Sequence, residues 1–90
     1  MEKIYKYKIV GIQSWDFNDP NGKRVVGSKL YVEHLPARQG TVGKSYESVK
    51  ILPNVKEALI ELLGSEQNAI GQEFVDFGYD KYQRVNDIKF

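Results

Sequence analysis

Tyr46-Glu47-Ser48-Val49-Lys50-Ile51-Leu52-Pro53-Asn54-Val55-Lys56-Glu57-Ala58-Leu59-Ile60-Glu61-Leu62-Leu63-Gly64 joins two kinds of hydrophobic periodicity, and the fold is read from that junction. The first half alternates, with Tyr46, Ser48 and Lys50 set against Glu47, Val49 and Ile51, which is the period of a strand. From Pro53 or Asn54 onward the period changes. Val55, Ala58, Leu59, Leu62 and Leu63 recur at helical spacing and make one apolar stripe. Asn54 is a competent N-cap with Glu57 in the capping-box position, and Gly64 suits the left-handed residue that closes a helix. So short a helix is not stable alone, so it must cover an apolar opening.

Working outward, Lys3 to Phe17 reads as a first long strand. Its apolar set changes sides between Tyr7 and Val10, with Gly11 just after the change. A β-bulge or bend there turns Tyr5, Tyr7, Val10 and Ile12 towards one interior. Asn18-Asp19-Pro20-Asn21-Gly22 is a turn, since Asn and Asp tolerate left-handed backbone, Pro presets φ and Gly accepts positive φ. Lys23 to Leu35 returns as a second strand, with Gly27 as a second bend. In it Leu30 and Val32 face a core, Lys29 and Tyr31 face outward, and His34 at its end is a surface or half-buried polar residue. Pro36 and the segment Arg38 to Lys44 form a glycine-containing loop before the third strand. Beyond the helix, Gly71 to Phe77 is a fourth strand, Gly78 to Lys81 a turn, and Tyr82 begins a fifth.

No repeat, low-complexity tract or linker interrupts residues 1–90, which read as one domain. The expected class is all-β with one helix. The order β-β-β-α-β-β matches a five-stranded, OB-fold-like Greek-key barrel, in which the helix between strands three and four caps one end. An SH3-like barrel is the rival, but it usually lacks that helix.

Composition removes several function classes. There is no cysteine, so disulfide scaffolds, thiolate metal sites and cysteine nucleophiles are excluded. One histidine cannot build a multi-histidine metal site. Gly40-Thr41-Val42-Gly43-Lys44-Ser45 ends like a phosphate loop, yet it has the wrong glycine spacing and precedes a strand instead of a helix. No enzyme, metal or cofactor is expected. No apolar run approaches the roughly 18–20 residues of a membrane-spanning helix, and the start of the chain alternates charge with aromatics, so a cytoplasmic location without membrane contact is the expectation. The net charge of +1 argues against a polycationic tail but not against a basic face.

Aromatic residues make up 12% of the chain and interleave with basic ones in the segments an OB barrel turns towards its ligand. Trp15, Tyr31, Tyr46, Tyr79 and Tyr82 are the candidate stacking residues, and Lys23, Arg24, Lys29, Arg38 and Arg84 the candidate phosphate contacts. Single-stranded nucleic acid offers flat base faces for rings and phosphates for cations, with stacking worth about 1–3 kcal/mol per base. Trp15 fits core packing and exposure equally well, and each cation taken singly fits an ordinary solvated charge. Acidic residues gather elsewhere, with Glu57, Glu61 and Glu66 on or after the helix and Glu73 and Asp76 on the fourth strand. The expectation is therefore a basic side and an acidic side.

Asn21-Gly22-Lys23-Arg24 followed by Gly27-Ser28-Lys29-Leu30-Tyr31-Val32 resembles the second-strand region of the small helix-destabilising single-stranded DNA-binding proteins of filamentous phages, plasmids and conjugative elements. The likeness spans roughly residues 3 to 35 and the element order. It implies an OB-type homodimer that coats single-stranded DNA during replication. Two departures stand out: Val25 and Val26 occupy the place where that family puts an aromatic, and this chain has a full helix at Asn54 to Leu63. Sequence-tolerant single-stranded DNA binding is the first functional expectation. A protein–protein adaptor using the tyrosine-rich face or a strand edge is the second.

Overall fold

The computed structural model describes residues 3–90. Strands β1 (Tyr7–Asn18), β2 (Arg24–His34) and β3 (Tyr46–Ile51) are followed by helices α1 (Pro53–Leu63) and α2 (Glu66–Ala69), then strands β4 (Glu73–Phe74), β5 (Asp76–Tyr79) and β6 (Val85–Lys89). The strands form one sheet in the order β4-β1-β2-β3-β6-β5, antiparallel except where β3 meets β6. Since β4 and β5 are separated only by Val75 yet sit at the two ends of that order, the sheet curls into a nearly closed barrel.

There are thus six strands where five are expected. The segment read as a single fourth strand changes partner midway. Glu73 and Phe74 pair with β1, Val75 donates its N–H to the Lys89 carbonyl at 2.6 Å, and Asp76 onward pairs with β6. The last strand starts at Val85, not Tyr82, because the Asp80 carboxylate accepts the N–H groups of Tyr82 and Arg84 at 2.8 and 2.9 Å and holds them in a turn. The same device shapes the β1–β2 turn, where Asp19 accepts from Asn21 and Lys23 at 2.9 and 2.8 Å. Both turns need a left-handed residue just before the returning strand. Gly22 takes it at φ 80°, but at the matching place stands Gln83 at φ 64°. Left-handed backbone crowds a Cβ. Gln83→Gly is expected to raise stability by roughly 0.5–1 kcal/mol, read as a higher urea midpoint, whereas the same change at an ordinary strand position lowers it.

The bulge before Gly11 is present: the β1–β2 register shifts between Ile9 and Gly11. Its outcome differs in detail. Val10 is the extra residue and is exposed, Tyr5 is exposed, and Ile9, with no accessible surface, enters the core in their place. A bulged residue loses its partner and its pleat orientation, which is why the alternation cannot be continued through it. The helix begins at Pro53, the earlier of the two starts read from the sequence, but without the expected cap. Pro53 occupies its first turn and Leu52 is the N-cap without a side-chain bond, so the Asn54–Glu57 box is not used. Proline lacks the N–H that a first turn leaves unpaired, so it opens a helix at little cost. Gly64 closes it at φ 92° with its N–H on the Ile60 carbonyl.

One buried cluster holds these parts together, including Ile9, Leu30, Val32, Ile51, Val55, Leu59, Phe74, Phe77, Val85 and Ile88. The helix contributes Val55 and Leu59 to it, as a plug for the barrel end. His34 belongs to this interior instead of the surface. It is 7% exposed, with Nδ1 at 2.8 Å from Ser45 Oγ and Nε2 at 3.1 Å from Glu47 Oε1. A buried imidazole needs both partners, and together they pin the β2–β3 loop.

Candidate nucleic-acid interface

Beyond Ser28 the β1–β2 ribbon leaves β3 behind, since β3 pairs only with Ser28 to Glu33. The projecting half of the ribbon and the β5–β6 hairpin flank a groove of about 670 Å³ whose floor is the end of β3. Trp15, Val25, Gly27, Lys50, Tyr79 and Arg84 are among its lining residues, and no Asp or Glu is. Trp15 is half-buried and lies directly across from Gly27. A Cβ on Gly27 would come within 2.5 Å of the indole ring, so this glycine makes room for the ring. The β1–β2 register runs through it without a shift, so no bulge accompanies it. The half-exposed indole satisfies both of the roles open to it from sequence.

Next to the groove, the outer surface of β1, β2 and β3 carries Gln13, Lys29, Tyr31, Ser48 and Lys50. Lys29 sits opposite Lys50, and Tyr31 opposite Ser48. The Tyr31 ring lies against Gly11, where an added Cβ would be 3.4 Å away, and its hydroxyl donates to Gln13 Oε1 at 2.6 Å. The Lys29 amine stands 5.2 Å from the centre of that ring. Tyr31 is thus held flat on the sheet with one face partly covered.

The ten expected site residues divide by position. Trp15, Tyr79 and Arg84 line the groove. Lys29 and Tyr31 continue from it along the sheet. Lys23 and Arg24 stand at the base of the β1–β2 turn and Tyr82 in the β5–β6 turn, where the Lys81 and Arg84 head groups lie 5.0 and 5.2 Å from its ring. Tyr46 and Arg38 fall outside this group. Tyr46 pairs with Glu33 at the far end of β2 and β3, and Arg38 follows in the loop beyond. Five residue steps along β2 lead from Ser28 to that end, roughly 17 Å at about 3.3 Å per residue. Carboxylates cluster there as well: Arg38 pairs with Glu47 at 3.3 Å and Lys44 with Glu33 at 3.8 Å. Lys50 and Gln83 line the groove without being among the expected ten. For Lys50 the signal was present, since alternation along Tyr46 to Ile51 puts it on the outer face.

The arginines are engaged. Arg24 grips Asp16 with two hydrogen bonds of 2.9 and 2.7 Å, and Arg84 Nε meets Asp80 Oδ2 at 2.9 Å. The Arg24 hydrogen bond holds the Asp16 carboxyl below its usual range, and the Arg84 and Tyr82 N–H groups with the Arg84 side chain do the same for Asp80. A carboxyl lowered in the folded state stabilises it above the unfolded value, and that contribution fades as pH falls through the folded value. Carbon-detected NMR titration is expected to give both carboxyls midpoints below 3.8, with the Asp16–Arg24 pair and the Asp80 turn loosening only at more acidic pH. Midpoints at or above 3.8 would remove both ion pairs from the description.

Among the described residues, no group of three or more His, Asp or Glu side chains is placed to hold a metal ion, and no helix is long and apolar enough to cross a membrane. No family model, curated protein or solved structure matches the chain.

Proposed function

We propose that the protein binds single-stranded DNA without sequence preference, using the Trp15–Tyr79 groove and the adjoining outer face of β2 and β3. One observation carries this: two aromatic side chains and two cations, Lys50 and Arg84, share a groove whose lining has no carboxylate. Bases stack on the rings while phosphates meet the cations, a sequence-tolerant combination because every base has a π face. The strand order supports an OB-type barrel in the same proposal. With β4 and β5 counted as one strand broken at Val75, that strand runs between β1 and β6, and β6 lies parallel to β3. OB barrels bind across strands two and three, between the loops joining strands one to two and four to five, which corresponds to the groove here.

Trp15 is the sole tryptophan, so its fluorescence reports on the groove. Titration with an oligo-dT is expected to quench it. If Lys23, Lys29, Lys50 and Arg84 each meet one phosphate, single-strand counterion release gives a log–log salt slope near −2.8, roughly a fifty-fold loss of affinity between about 50 and 200 mM salt. Absence of quenching at the lower salt would overturn the proposal.

A second reading rests on Phe17 and Val26, both more than half exposed on the part of the ribbon that no third strand flanks. An apolar ribbon with open edges suits a protein partner joining by strand addition. The two readings separate in the same titration, because an adaptor leaves Trp15 unmoved by oligo-dT.

A further inference from the structure

Beneath the projecting ribbon, between its inner face and the near flank of α1, is a second cleft of about 430 Å³. Trp15, Gly27, Ser28 and Pro53 line both this cleft and the groove, so the two adjoin at the foot of the ribbon. Ser14 pairs across the ribbon with Ser28, and Asp16 with Val26, so these four share the face turned towards α1. Val26 from the ribbon and Ile60 from the helix give the cleft apolar walls.

Its polar groups are not equivalent. Lys56 donates to Ser14 Oγ at 2.6 Å and lies 2.9 Å from Glu66 Oε1, which takes up two of its three N–H donors. Of the two carboxylates in the lining, Asp16 is held by both hydrogen bonds from Arg24. Glu57 is exposed and has no ion-pair partner among the described residues. One open ammonium donor and one open carboxylate therefore line the same cleft. A phosphate is repelled by Glu57, and a single free carboxylate attracts a basic peptide only weakly. A flat, neutral ring that carries an acceptor beside a pair of donors satisfies both groups. From this pairing we infer that the cleft receives one guanine base of the bound strand, its O6 accepting from Lys56 while its N1–H and N2–H donate to Glu57. Thymine offers one N–H between two carbonyls, which a carboxylate repels, and adenine and cytosine set their amino group beside an acceptor nitrogen. The inference rests on the single-stranded DNA reading and refines it: the groove stays indifferent to sequence, and the preference belongs to one nucleotide beyond it.

The test measures, by anisotropy and with the full chain, a labelled oligo-dT against three oligonucleotides of the same length that carry one central guanine, hypoxanthine or adenine. The guanine strand is expected to bind about tenfold tighter than oligo-dT, within the discrimination of a bidentate base contact. Hypoxanthine, which is guanine without its amino group, is expected to lose most of that gain, and adenine all of it. Glu57→Gln turns one acceptor into a donor and is expected to bring the four strands within about twofold of one another, with affinity for oligo-dT unchanged. Glu57 is exposed and outside the cap in use, and unchanged circular dichroism and quenching of Trp15 by oligo-dT establish that the variant is folded. Equal binding of the guanine strand and oligo-dT by the wild type overturns the inference and leaves the DNA reading standing. A guanine gain that survives in Glu57→Gln does the same, as does hypoxanthine equal to guanine. Binding of none of the four strands overturns both.

Discussion

Phe74→Ala is expected to remove about 3–5 kcal/mol of folding stability, the range for truncating a fully buried phenylalanine. A domain of this length has only about 4.5–13.5 kcal/mol in total, so the variant stands near or below the threshold for a folded population. The position is sensitive for three reasons. Phe74 has no accessible surface, and its ring stacks on Tyr7 at 5.1 Å and meets Phe77 edge-on at 5.0 Å. Its carbonyl accepts the Lys6 N–H at 3.1 Å, and its pairing with Tyr7 is one of two that bring β4 against β1. Losing the ring therefore leaves a cavity at the seam where the barrel closes. Urea denaturation is the check, and with a slope of about 1–3 kcal/mol per molar the midpoint falls by at least roughly 1 M. A loss below about 1 kcal/mol would mean that the seam contributes little.

Trp15→Ala is expected to weaken oligo-dT binding by about 10- to 100-fold, the equivalent of one stacked base, while changing stability far less because the ring is only half-buried. Anisotropy of a labelled oligo-dT measures it, since the variant has no tryptophan of its own. Tyr79→Ala, on the opposite bank of the groove, should act in the same direction. Arg38→Ala serves as the comparison, because Arg38 lies beyond the far end of β2 and β3 and is paired with Glu47. Unchanged affinity in a folded Trp15→Ala variant removes the groove from the binding surface. A loss in Arg38→Ala as large as in Trp15→Ala would place the strand along the sheet instead.

Much of the barrel was legible because each strand carries its alternation and each turn its chemistry. The Leu30 and Val32 face, the bulge near Gly11 and the closing role of Gly64 were all available from local pattern. What escaped was decided by distant partners. Nothing within Gly71 to Phe77 says that its first half pairs with β1 and its second with β6, because the switch at Val75 depends on where the Lys89 carbonyl lies. His34 is buried by tertiary pairing with Ser45 and Glu47 that a strand-end histidine does not announce. Of the candidate site, the two aromatic banks could be named, but not the separation of Tyr46 and Arg38 from them, since that is fixed by register. Net charge was equally uninformative about the acid-free groove, because carboxylates near the arginines cancel charge locally at the hairpins and again at the far end of β2 and β3.

The indole lying on Gly27 ties two positions twelve residues apart into one inherited choice. Any side chain at 27 evicts the ring, and any small residue at 15 leaves a bare notch that a larger neighbour is free to fill. Lineages descended from this chain should therefore exchange the two sites together, tryptophan with glycine or a compact residue with an ordinary one, and mixed combinations should be rare among them.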